Sequence, residues 1–263
     1  MRFLEAGIRQ AVKIGVRKEF DELNPVSALF MKIGAMRYIS KHNCLIDGYP
    51  LPNFGAAIIT GNHNEEANSY EAAVAGLKVK RLIRTVVKKS LVVQGAYESD
   101  EYLKSIGDKK DPQEFNWLKA FVMKGIGVIP ILRDNPGINF ARICFQVLDS
   151  NQLLGIYLQD TRDEEGLLRN LKKGVASFAS MKEYRDTPIY EIAFSENRAT
   201  ILEPTTYNQT LTKIREEEPL RDAISVAEFT IILADRLASA LPQEVQDDWK
   251  NRRESEFAYL EAA

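Results

Sequence analysis

The sequence predicts an α/β domain built on a mainly parallel sheet flanked by helices, with an N-terminal amphipathic helical pair before it and a helical C-terminal tail after it. Two observations carry this. Short apolar runs over residues 56–59, 81–87, 125–133, 153–158 and 187–194 have strand length, and helical patterns over 65–76, 115–124 and 139–150 fall between them. At 263 residues and 45% hydrophobic content, the chain can bury a full core and fits one domain with a helical extension. The segments divide as residues 1–41, 42–205 and 206–263.

Taken in order, Phe3, Leu4, Ile8 and Val12 recur at helical spacing, as do Val26, Leu29, Phe30 and Ile33, with Asn24-Pro25 as the break between two helices. Basic residues outnumber acidic ones over residues 1–41. Such a segment either lies on an anionic bilayer or packs on its own domain. A short strand and turn over 44–49 precede Pro50-Leu51-Pro52. A β-branched run at 56–59 meets the breaker Gly61-Asn62, and a helix begins at Glu65. Residues 81–87 alternate Arg81, Arg84 and Thr85 with Leu82, Ile83, Val86 and Val87. Residues 94–116 form a polar insertion. A helix over 115–124, a buried strand over 125–133, a helix over 139–150 and a buried strand over 153–158 follow. A strand over 187–194 pairs with another over 199–202. Beyond residue 205, Leu220, Ile224, Phe229, Ile231, Ile232 and Leu237 supply one apolar helical face, and Leu241-Pro242 opens a last charged helix.

Composition excludes some functions. With 35 basic and 37 acidic residues the net charge is −2, which argues against a general nucleic-acid binder. The basic group Lys78, Lys80, Arg81, Arg84, Lys88 and Lys89 has no interleaved aromatic residues to stack bases. Cys44 and Cys144 are far apart and lack metal-ligand spacing, so two reduced structural thiols in a cytoplasmic setting are expected, with no metal site. There is no apolar stretch of the ~18 residues a membrane span needs, and no signal peptide. A lipid-directed protein of this kind is expected on the inner face of the membrane as a peripheral protein.

The chemistry centres on His63, one of 2 histidines. A strand, a tight turn and a helix start place it at the carboxyl edge of the sheet, where open α/β folds bind ligands. Asn62-His63 resembles the first block of the glycerolipid acyltransferase family (1-acylglycerol-3-phosphate acyltransferases and relatives), an Asn-His pair with an Asp five residues after the His. Here that position is Asn68. Lys88-Lys89-Ser90-Leu91 is similar to the phrase that closes the next strand in the family, and Gly125 through Arg133 to its second block. Gln159-Asp160-Thr161-Arg162, with Lys173-Gly174 after a polar turn, is similar to the third block, in which Glu-Gly-Thr-Arg precedes Lys-Gly-Ala. An apolar strand opening at Pro188 is similar to the fourth. The blocks occur in family order over residues 44–204.

The resemblance implies transfer of a fatty acyl chain from acyl-CoA or acyl-carrier protein to the hydroxyl of a lysophospholipid or glycerol phosphate. It needs no cofactor beyond the acyl donor. His63 is then the general base, because its ordinary pKa lies near neutrality. Asn68 stands where a carboxylate would fix the imidazole, and Glu66 is the alternative carboxylate. Lys88, Arg133, Thr161 and Arg162 are the expected phosphate-binding residues, arginine offering a planar two-point fork. Asn68 and Gln159 both replace acids. That pattern also suits a weak or inactive relative that binds phospholipid or acyl chains at a membrane surface.

Overall fold

Seven strands form one sheet in the order β1 (Leu45–Gly48), β7 (Arg198–Ile201), β6 (Ile189–Ser195), β2 (Ala57–Gly61), β5 (Leu153–Gly155), β3 (Ile83–Lys88) and β4 (Ile129–Ile131). The structure, a computed structural model, describes residues 25–63, 68–93, 120, 123–133, 136–159, 163, 165–196 and 198–262. The first of the two predicted N-terminal helices, the body of the 94–116 insertion, Glu66, Thr161 and Arg162 lie outside the described residues.

The five strands from β6 to β4 run parallel. β7 folds back antiparallel on β6, and β1 pairs parallel with β7 to complete that edge. All of β2 is buried, which is why it reads as an unbroken apolar run without alternation. Successive residues still serve opposite faces. Ile58 and Leu154 point into one core, and Ile59 and Leu153 into the other.

Among the described residues seven helices cover the faces: α1 (Pro25–His42), α2 (Asn68–Lys78), α3 (Gly137–Asp149), α4 (Gly174–Ala179), α5 (Tyr207–Glu217), α6 (Val226–Ala238) and α7 (Gln243–Ala262). The larger core joins Ile58, Ile129 and Ile189 of the sheet to Leu148, Val175, Phe229, Leu233, Trp249 and Leu260 of the helices. The helices beyond residue 205 thus share the core of the sheet. On the other face Ala72 and Ala75 of α2 pack against Ile59, Ile83 and Ile192, and α1 packs on α2.

Three departures from the sequence expectation have physical causes. Leu220 is 96% exposed, because Pro219 cannot continue α5 and the helical period does not cross it. The strand expected over 125–133 is only Ile129–Ile131, since Gly125 is helical and Gly127 turns the chain with φ +70°. The strand expected over 153–158 leaves β3 after Gly155 but stays on β2, with Ile156 N donating to Ile59 O at 2.9 Å and Leu158 N to Gly61 O at 3.3 Å.

Candidate active site

The end of β2 is shaped by two residues. A Cβ on Gly61 would lie 2.4 Å from Ile192 O and 2.8 Å from the Phe194 ring, so only glycine lets β6 come this close. Asn62, 0% exposed, then behaves as one more peptide group. Its Nδ2 donates to Phe194 O and its Oδ1 accepts from Phe194 N, both at 2.8 Å. The ladder to β6 is thereby extended past the strand, and His63 emerges at its carboxyl end between β6 and β5.

The backbone of His63 is held on both sides. Its N–H donates to Gln159 Oε1 at 2.8 Å, and its carbonyl accepts from Asp163 N at 2.9 Å. The half-buried imidazole stacks on Tyr157, with ring centroids 4.3 Å apart and planes 12° from parallel, and its Nδ1 is shielded from solvent. Tyr157 in turn packs against Phe194 at 6.5 Å. In the sequence Tyr157 sits inside an apolar run, and its one signal is being the only hydroxyl-bearing residue there.

Gln159 explains itself once its partners are known. Besides accepting from His63, it donates from Nε2 to Leu167 O at 2.8 Å, and its own backbone bridges Leu171. It is 5% exposed and uses a donor and an acceptor at once. An ionised glutamate has no donor to offer Leu167, so the neutral residue fits this clamp. The loop it grips is braced again by Asp163 Oδ1, which accepts from Glu165 N at 3.0 Å and Leu167 N at 3.2 Å. Glu256 of α7 accepts from Asn170 N at 3.2 Å and Leu171 N at 3.3 Å. The C-terminal helix therefore holds the loop that holds Gln159, which holds His63. Gln159→Glu is expected to destabilise the fold by about 3 kcal/mol, since a buried carboxylate would face a carbonyl. Urea unfolding at neutral pH measures this, and unchanged stability would remove the clamp as the reason for glutamine.

The other predicted residues divide. Lys88 ends β3 and Arg133 follows β4 by two residues, both half-buried at the same carboxyl edge as His63. With about 4.8 Å per strand step, their backbones stand roughly 10 Å and 14 Å across the sheet from His63. Asn68 is the first residue of α2, and its side chain lies outside the description, as do Glu66, Thr161 and Arg162. No protein-family model, curated protein or solved structure matches the chain.

Several residues away from this edge are tied to the protein backbone and interior. Arg81 donates to the carbonyls of Pro52 at 3.0 Å, Gly55 at 2.7 Å and Asn151 at 2.5 Å. Arg84 is 2% exposed and donates to Gly127 O at 2.5 Å and Gln152 Oε1 at 3.3 Å. Two members of the basic group noted above are thus engaged with the protein interior. Both cysteines are free and buried. Burial pushes the Cys144 thiol up to about 12, and Cys44 Sγ donates to Glu71 Oε1 at 3.1 Å.

Proposed function

We propose that the protein is an acyltransferase that moves a fatty acyl chain from acyl-CoA or acyl-carrier protein to the hydroxyl of a lysophospholipid or glycerol phosphate. The observation that carries this reading is the placement of His63 at the carboxyl end of a central strand, its ring stacked on Tyr157 and its backbone clamped by Gln159 and Asp163. The ordered resemblance of residues 44–204 supports it.

His63 takes the proton from the acceptor hydroxyl as its oxygen attacks the thioester carbonyl. The tetrahedral oxyanion collapses, the C–S bond breaks, and the imidazolium returns the proton to the departing thiolate. The electron-rich face of Tyr157 suits the charge the imidazole carries between the two transfers. α2 begins five residues after His63, and a helix start offers backbone N–H groups to an anion. Lys88 and Arg133, on the same edge, meet the acceptor's phosphate. Gln159 serves the scaffold, so its neutrality does not count against catalysis.

The test is acyl transfer by the purified chain, His63→Ala and Asn68→Asp, with acyl-CoA and acyl-carrier-protein donors and lysophosphatidate and glycerol-phosphate acceptors. His63→Ala should lower turnover by about 10²–10⁴-fold, the usual contribution of a general base. Equal rates for wild type and His63→Ala reject the mechanism. A silent wild type with an active Asn68→Asp means a disabled site. Silence from all three, with acyl chains or phospholipid still bound, transfers the assignment to a lipid-binding protein.

A further inference from the structure

α1 is apolar on two sides. At about 100° per residue, Met31, Ala35 and Tyr38 share one side. There Ala35 is fully buried, and Met31 packs on the cluster of Val92, Ile126 and Val128. Leu29, Ile33 and Met36 share the opposite side with Phe30 beside them, and these four are 51–58% exposed. Single exposed apolar residues are ordinary, but a continuous strip of large ones marks an interaction surface. The helix already supplies a second, separate set of residues to the core, so packing among the described residues does not account for the strip.

The charges beside it choose the occupant. Lys32 borders the strip on one flank, and Arg37 and Lys41 border it on the other, all exposed. No acidic residue occurs from 25 to 42, although the chain as a whole carries a net −2. Positive charge is thus gathered around the exposed apolar strip of this helix. A second copy of the chain docked there would bring the same cations together, because a twofold interface repeats the patch on both sides. No helix of the described residues is long and apolar enough to cross a membrane.

We infer that this strip of α1 docks on an anionic lipid bilayer. Leu29, Phe30, Ile33 and Met36 enter the boundary between headgroups and acyl chains, and Lys32, Arg37 and Lys41 meet the lipid phosphates. α1 leads into Cys44, whose thiol bonds to Glu71 in the first turn of α2, the helix that begins five residues after His63. Docking therefore sets the His63 edge near the surface from which a lipid acceptor arrives. That last consequence rests on the proposed acyl transfer, whereas the docking does not.

Co-sedimentation of the full chain with vesicles tests the inference without any turnover. Phosphatidylcholine vesicles are compared with vesicles that also contain phosphatidylglycerol. One variant carries Lys32→Glu, Arg37→Glu and Lys41→Glu; the other carries Leu29→Ser, Ile33→Ser and Met36→Ser. All six side chains are exposed, and thermal melting confirms that both variants fold. Wild type should bind the anionic vesicles, and more weakly as salt is raised. Each cation contributes about fivefold to binding near an anionic surface, so the charge variant should lose on the order of a hundredfold. The apolar variant should lose at least about tenfold. Absence of wild-type binding to anionic vesicles overturns the inference, as does wild-type binding by both variants. If the variants turn a dimer into a monomer in size-exclusion chromatography and leave vesicle binding unchanged, the occupant is a second copy and the inference is wrong.

Discussion

Asn62→Ala is expected to destabilise the protein by about 4 kcal/mol, a large part of the roughly 5–15 kcal/mol that holds a domain folded. The side chain is 0% exposed and satisfies both the N–H and the carbonyl of Phe194 at 2.8 Å. Truncation leaves a buried donor and a buried acceptor, each costing about 1–3 kcal/mol. Asn62→Asp separates this account from a simple packing loss. At neutral pH a carboxylate still accepts from Phe194 N but repels Phe194 O, whereas a protonated Asp can donate to that carbonyl. The Asp variant should therefore regain stability as pH falls, and the Ala variant should not. Urea unfolding at acid and neutral pH measures both. A loss below about 1 kcal/mol for Asn62→Ala would mean that the ladder does not need this amide.

The position of Asn62-His63 was legible in the sequence, but the structural role of Asn62 was not. Sequence places both residues after a buried run and before a helix, and the structure keeps that placement. The partner of Asn62 lies 132 residues further along the chain, and nothing local to either residue announces the pairing. Gln159 is similar, with one partner 96 residues away. Read alone it is a missing acid, and read with Leu167 and His63 it is a donor and acceptor in one. Parallel strands were legible because burial on both faces writes itself as continuous hydrophobicity, as in β2. The helices were legible by period, and that signal overran at Leu220 because periodicity ignores a proline break. In α1 the period found apolar residues without saying which of them the domain would cover. Met31 and Ala35 went inward, and Leu29 and Ile33 stayed out.

Glu191 should make the protein lose stability as pH rises toward neutrality, opposite to the usual behaviour of a carboxylate. It sits in β6 with 0% exposure, beside Thr60 in the register with β2, and Arg236 of α6 donates to its Oε2 at 2.6 Å. Among the described residues its Oε1 has no hydrogen-bond partner. Burial pushes its carboxyl from 4.5 up to about 7, and the Arg236 guanidinium only partly opposes this. Arg236 is itself 30% exposed and also donates to Glu203 O, so water and that carbonyl share its charge. A carboxyl raised on folding holds a proton that the unfolded chain has already released. Its contribution is fully present below pH 4.5 and is lost as pH climbs through about 7, a change of roughly 3 kcal/mol. Glu191→Gln keeps the shape and an acceptor for Arg236 but cannot titrate. Wild type and Glu191→Gln should match in acid and diverge with rising pH, the variant becoming the more stable. Urea unfolding of both across this range decides the matter. Parallel stability curves would mean that the Arg236 pair fully offsets the burial and leaves the carboxyl at its unfolded-state value, and Arg236→Met would then cost about 3–5 kcal/mol at neutral pH by leaving that charge buried alone.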